Sequence, residues 1–203
     1  MRSAAPAPQT IRAGFTPCRS ESAARGVTLV VDECFLDLTE EPSRYTIVPL
    51  LEEYPRLVIL RAFTKTYAMA GLRLGYALCG SAETAQALRD CAQPWSVSVP
   101  AEAAGLAALK ETAYEREVRA FLRTERARML RALAALGFRA VPGQANFLLF
   151  FSEDTSLAQR LRGRGILLRD CRDFPGLAPG WYRAAIRKRE ENDALLKALG
   201  EVT

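Results

Sequence analysis

Lys65 is the residue in this chain best suited to act as an amine nucleophile. The sequence holds only four lysines, and this one directly follows the apolar run RLVILRAF (56–63), with Phe63, Tyr67, Ala68 and Met69 around it. Taking an amine out of water disfavours its charged form and leaves a nitrogen that can condense with a carbonyl to give a Schiff base. On the local sequence alone, a strand-end lysine reaching into solvent is the plainer alternative. Asp32-Glu33 close a second apolar run, VTLVV (27–31), and place carboxylates at another strand end. The chain has no histidine, which excludes Ser-His-Asp and Cys-His nucleophilic systems and HExxH metal sites. Acid–base work would fall to Lys, Asp, Glu, Tyr or Cys.

The remaining composition narrows the class. Hydrophobic residues make up 49% of 203, enough to build a core. No apolar run approaches the roughly 20 residues that span a bilayer. The N-terminus lacks the apolar stretch of a secretory signal, so a cytoplasmic protein without membrane contact is expected. The five cysteines, Cys18, Cys34, Cys79, Cys91 and Cys171, are odd in number and widely spaced. Free thiols are expected rather than a disulfide framework or a zinc site. The net charge of +5 comes from arginines spread along the chain. Nucleic-acid binding would need a basic stripe interleaved with aromatics, so no nucleic-acid partner is expected.

These candidate groups need elements to position them. Residues 1–26, with APAPQT and TPCRSES, read as an irregular lead-in. From Val27 the β-branched run reads as a buried parallel strand. TIVPLLEEY (46–54) reads as a helix, RLVILRAF as a second strand and LRLGYALCG (72–80) as a third. Strands bridged by a helix suggest βαβ crossovers in a parallel sheet. Ser81 is an N-cap candidate for the helix SAETAQALRDCA, and PAEAAGLAALKETA continues as another. Val118, Phe121, Leu122, Met129, Leu133 and Leu136 recur near a period of 3.6 over 112–136, with Gly137 as a stop and Arg116, Arg119, Arg123 and Arg126 on a solvated face. Beyond it come strands at FRAV, NFLLFF, ILLRD and WYRAAI, and helices at SLAQRLRGRG and EENDALLKAL. The expected division is 27–110 and 111–203, with the boundary near 108–115.

The segment Thr64-Lys65 followed by Gly71-Leu-Arg73-Leu-Gly75, with Asp32 33 residues upstream of the lysine, resembles the cofactor-lysine motif of fold-type-I pyridoxal 5'-phosphate (PLP) enzymes of aminotransferase class I/II. The resemblance implies an α/β fold: the C-terminal part of a PLP-dependent transferase large domain, with a partial parallel sheet and helices, plus a small α+β C-terminal domain. It implies that Lys65 forms the internal aldimine with PLP and that Thr64 and Arg73 bind the cofactor phosphate. Asp32 would pair with the protonated pyridine nitrogen. QPWSVS (93–98), ILLRDCRDFPGL (166–177) and WYRAAIRKREENDALLKAL (181–199) narrow the likeness to the branch of threonine-phosphate decarboxylase and histidinol-phosphate aminotransferase. There Arg183 would hold the substrate α-carboxylate, and Arg169 and Arg187 a substrate phosphate. Asn146 matches a family position whose role, structural or substrate-facing, stays open.

Phe35 and QPWSVS resemble the decarboxylase side, since many aminotransferases of this branch carry tyrosine where Phe35 stands. Ala62 replaces the small hydroxyl residue often found three before the lysine, which implies one phosphate contact fewer. The resemblance implies a small phosphorylated amino acid or amino alcohol as substrate, in cobalamin or histidine biosynthesis, and a homodimer. The family's upstream half has no match in residues 1–26, so an N-terminally truncated chain is expected. The rival expectation is an inactive remnant.

Overall fold

The computed structural model describes residues 21, 22 and 24–202 of the chain. The lead-in expected over 1–26 therefore lies almost wholly outside the described residues. The chain divides into two compact units, one up to Glu115 and one from Arg116 onward.

The first unit is built on a three-stranded sheet in the order β1-β2-β3, with β1 at Leu29–Asp32, β2 at Leu57–Ala62 and β3 at Gly75–Cys79. β1 and β2 are parallel, with Asp32 opposite Leu60. β3 is antiparallel to β2, and this corrects the expectation of an all-parallel sheet. The reason lies in the connection. Between β2 and β3 there is no crossover helix, which a parallel return requires. There is only the short helix α2 (Phe63–Thr66) and a 3-10 turn at Ala70–Leu72, and these fold the chain straight back. Gly75, at the start of β3, lies so close to β2 that a Cβ there would meet the Arg61 carbonyl at 2.9 Å.

One face of this sheet is covered. Leu57 and Ile59 bury with Ile47 and Leu50, and Leu29, Val31 and Leu78 pack around them. On the other face Val30 and Leu60 remain 55% and 36% exposed. The helix expected over 46–54 is a 3-10 turn at Val48–Leu50 continued by i→i−3 hydrogen bonds from Leu51, Glu53 and Tyr54. Pro49 lacks a donor and Pro55 disfavours helical geometry in Tyr54, so an α-helix has no room between them. A single helical turn, α1 (Pro42–Tyr45), precedes it. Two helices follow β3, the first without buried residues and the second burying Ala101, Gly105 and Ala108. In α3 (Ala82–Cys91) the Ser81 hydroxyl accepts from the Thr84 N–H, and in α4 (Val99–Ala108) the Ser98 hydroxyl accepts from the Ala101 N–H.

The second unit takes most of α5 (Thr112–Ala135), which Gly137 ends at φ +83°. Its antiparallel sheet runs β4-β5-β7-β6, with β4 at Arg139–Val141, β5 at Phe147–Phe151, β6 at Arg169–Asp170 and β7 at Trp181–Ala185. α6 (Leu157–Arg162) and α7 (Arg189–Gly200) complete it. Leu148, Phe150, Tyr182, Met129, Leu133, Leu161 and Leu199 are fully buried. Of ILLRD only Arg169 and Asp170 pair as strand. Arg126, expected in solvent, is buried and donates to the Gln144 and Ala145 carbonyls at 2.5 and 2.9 Å. Among the described residues no helix is long and apolar enough to cross a membrane, no group of His, Cys, Asp and Glu could hold a metal ion, and Cys34, Cys79, Cys91 and Cys171 are free.

Candidate functional site

Asp32 is the last residue of β1, and Lys65 lies on α2 immediately beyond β2. Because the two strands are parallel neighbours, both residues come out at the carboxyl ends of adjacent strands, where open α/β sheets place ligands. Strand alternation turns Asp32 to the exposed face and Glu33 into the interior. The Asp32 carboxylate accepts from the Cys34 N–H at 2.8 Å. Hydrogen bonds from the Cys34 side chain and backbone hold its carboxyl below the ordinary range, against a small opposing effect of burial. Asp32 therefore stays an anion at neutral pH.

Lys65 is exposed. The desolvation expected from its neighbours is not found, because α2 turns them elsewhere: Phe63 stacks on Tyr67 at 5.5 Å and Tyr67 on Tyr114 at 6.0 Å. What Lys65 meets instead is Phe35, with Nζ 5.1 Å from the ring centroid, a cation–π distance. The sequence pointed to Phe35 only as a departure from a family pattern. Its proximity to Lys65 depends on how the turn after β1 lies against α2, which residue spacing does not encode.

Thr64 is half-buried beside Lys65 on α2. Arg73 follows the 3-10 turn in a left-handed conformation, φ +54°, and donates to the Ala70 carbonyl at 3.2 Å. Ala68 opens the same turn at φ +55°. Non-glycine residues in this region cost roughly 1–2 kcal/mol each, and such strain gathers at functional segments. Neither Lys65 nor Arg73 has a carboxylate ion-pair partner among the described residues. The segment 64–73 thus presents an amine, a hydroxyl and a guanidinium, with an anionic carboxylate on the adjoining strand.

In the second unit Arg183 on β7 and Arg169 on β6 are directly opposed in register. Arg183 lies 5.1 Å from the Phe147 ring and Arg169 5.6 Å from the Phe174 ring. Neither makes an ion pair among the described residues. Like charges facing each other across strands are unfavourable, so a negative charge placed between them would relieve the opposition. Arg187 is not grouped with them: its guanidinium pairs with Glu191 at 2.7 Å and its N–H donates to Asn192. Asn146 leaves its side-chain oxygen buried without a hydrogen-bond partner among the described residues.

Residues 20–199 match the family aminotransferase class I and II. The threonine-phosphate decarboxylase of Salmonella typhimurium is 41% identical over 180 residues, 87% of this chain and 49% of that protein. The histidinol-phosphate aminotransferase of Clostridium acetobutylicum superposes with a TM-score of 0.86 at 32% identity, over 93% of this chain and 57% of that one. The histidinol-phosphate aminotransferase of Sinorhizobium meliloti, solved in complex with PLP, gives 0.73 at 30% identity, over 91% and 52%. The chain spans about half the length of the relatives it matches. PLP carries an aldehyde, a phosphate and a pyridine nitrogen. The donor set found here suits all three: an exposed amine, a hydroxyl with a guanidinium, and a carboxylate held ionised. By sequence match, by fold and by this donor set, the chain belongs to the aminotransferase class I and II family.

Proposed function

We propose that this chain carries the cofactor-lysine region of a PLP-dependent enzyme acting on a phosphorylated amino compound, most like threonine-phosphate decarboxylase. The observation that carries the reading is that exposed Lys65 and ionised Asp32 lie at the ends of two adjacent parallel strands. PLP supplies, when bound, an aldehyde that condenses with amines and a ring that draws electron density from the substrate α-carbon. Lys65 would hold the aldehyde and then move protons at the α-carbon. Asp32 would keep the ring nitrogen protonated, and Thr64 and Arg73 would hold the cofactor phosphate by charge-assisted hydrogen bonds. Arg183 would orient the substrate carboxylate and Arg169 the substrate phosphate, an assignment supported by their unneutralised opposition. Arg187 would join them only by exchanging Glu191 for the ligand.

Phe35 favours the decarboxylase reading. Its ring offers no hydrogen bond and instead lies against the Lys65 ammonium. The second reading, a histidinol-phosphate-type aminotransferase, is favoured by the superposition with the Clostridium enzyme. Assembly as a homodimer belongs to the proposal, and sedimentation of the purified chain checks it.

The deciding experiment is a PLP titration of the wild type and Lys65→Ala. The wild type develops a visible absorption band and the variant does not. Equal spectra would remove Lys65 from the role. Threonine phosphate and histidinol phosphate are then supplied in turn: release of carbon dioxide marks the first reading, and loss of the amino group to an acceptor marks the second.

A further inference from the structure

Glu33 is buried and Arg61 half-buried immediately beside the candidate site, yet they belong to none of the roles above. Glu33 is 6% exposed. Its carboxylate accepts from Arg61 Nε at 2.9 Å and Nη2 at 2.7 Å. It also accepts from the Ile47 N–H at 2.8 Å and the Thr46 hydroxyl at 3.0 Å. Arg61 Nη1 reaches Asp37 at 2.7 Å, and Nη2 donates to Thr46 at 3.2 Å. Burial opposes the Arg61 charge, and Asp37 and Glu33 more than offset it, so the guanidinium is held above its ordinary value.

The position of this cluster gives it a use. Glu33 adjoins Asp32 and stands two residues before Phe35; Arg61 stands four before Lys65. The Glu33 N–H continues the β1–β2 ladder to the Leu60 carbonyl at 2.9 Å. The ion pair therefore crosslinks the two strand ends just where one, closing at Asp32, gives way to the turn bearing Phe35 and the other to the helix bearing Lys65. Asp37 extends the link to the far end of that turn. A purely apolar pair could fill the same space at no cost in stability, but it would not fix both the turn and the strand by directed bonds.

We propose that Glu33 and Arg61, with Asp37, are positioning residues that set Phe35 and Asp32 against Lys65. This rests on the cofactor reading above, and one arm of its test does not. Cys34 lies in the clamped turn, and burial, then its hydrogen bond with Asp32, pushes its thiol up to about 11. That keeps the thiolate scarce and alkylation slow. In the cofactor-free protein, Glu33→Gln frees the turn and raises the alkylation rate of Cys34, followed by peptide mass spectrometry, about tenfold, the equivalent of about 1.4 kcal/mol. With PLP added, the same variant binds about tenfold more weakly and its visible band shifts. Arg61→Lys, which keeps the charge without the fork, falls between. Asp37→Asn, which removes the charge of a half-exposed partner while keeping an acceptor oxygen, serves if the others fail to fold, with about a threefold rise, the equivalent of about 0.7 kcal/mol.

Unchanged Cys34 alkylation, PLP affinity and band position in a variant with a lowered melting temperature would mean that the pair only stabilises the fold, and the proposal would fall. If the wild type forms no Lys65-dependent band, the cofactor reading fails by itself. The Cys34 rate then decides alone: a rise upholds the clamp on the turn, and no rise overturns it.

Discussion

Each unit buries one glutamate among its described residues, and the two are satisfied in different ways. Glu33 in the first unit is bonded to Arg61, a hydroxyl and a backbone N–H at the ends of two strands. Glu125 in the second is 2% exposed and accepts from Arg128 at 2.7 Å and from the Asn192 amide at 3.0 Å. Asn192 also caps the chain after β7, donating to the Arg187 carbonyl at 2.7 Å and accepting from the Arg187 N–H at 2.8 Å. The Glu125 cluster joins α5 to α7 and touches none of the candidate site residues except the Arg187 backbone. The Glu33 cluster joins segments that carry three of them. The same chemistry therefore serves packing in one unit and placement in the other.

The comparison breaks most visibly at Glu125. Glu125→Ala leaves Arg128 and Asn192 with unmet donors, and losing one member of a buried pair costs about 3 kcal/mol or more. Thermal unfolding should show a large drop, while the alkylation rate of Cys34 stays that of the wild type. An altered Cys34 rate would end the distinction between the two clusters. Acid acts on the same network. Arg128 first, and Asn192 with it, lower the Glu125 carboxyl below its ordinary value against burial, and hydrogen bonds lower Asp154 and Asp170 likewise. For a carboxyl whose folded value is depressed, the stabilisation is complete above the unfolded value, about 4, and is lost as pH falls through the folded one. A pH series of melting temperatures should be flat from 7 to about 5 and decline below about 4, and Glu125→Gln should decline less steeply.

The units also differ in where strain sits. In the second, the described residues with positive φ are all glycines: Gly137, Gly165, Gly176 and Gly180. In the first, Ala68, Arg73 and Trp95 adopt it, and two of these bracket the turn that follows Lys65. Ala68→Gly should stabilise the protein by about 0.5–1 kcal/mol, relief of strain exceeding the extra chain entropy of glycine. It should also weaken PLP binding, because the turn would no longer be held. Gly165→Ala, where the added Cβ meets nothing within 4 Å, is the control: it should destabilise by about 1 kcal/mol from conformation alone. Tighter PLP binding in Ala68→Gly would show that the strain serves no purpose at the site.

The sequence made the site's chemistry more legible than its surroundings. Lys65, Asp32, Thr64 and Arg73 are proposed from a motif whose residue types and spacing can be compared with a family without coordinates. β1 and β2 are legible because continuous apolar runs mark strands, although β1 is not buried as expected and leaves Val30 and Asp32 exposed. The direction of β3 was missed because it depends on a short connection with two left-handed residues, neither of them glycine, so no residue type announced the reversal. Helix periodicity puts Arg126 on the solvent side because it does not encode that the loop at Gln144 and Ala145 turns its carbonyls toward it. Glu33 left a usable trace. Alternation through Leu29 and Val31 turns it inward, and the register that pairs Asp32 with Leu60 sets it beside Arg61. Reading that trace required the register, which only the fold supplies.

The smallest effect tests the opposed arginines of the second unit. Arg169 and Arg183 face each other in register without a carboxylate partner, so each destabilises the other by a few tenths of a kcal/mol at low salt. Arg169→Gln should therefore raise the melting temperature slightly, by the equivalent of about 0.5 kcal/mol, and the gain should vanish as salt screens the pair. An anion bound between the two guanidinium groups reverses the balance. Inorganic phosphate should stabilise the wild type in proportion to its binding and the variant much less. Burial pushes the Cys171 thiol up, and Arg183 and Arg169 oppose that shift without cancelling it. A variant with unchanged stability at low salt and an undiminished response to phosphate would mean that the two arginines point into separate solvent. In that event Arg169 would drop out of the proposed role, and the proposal would rest on Arg183 alone.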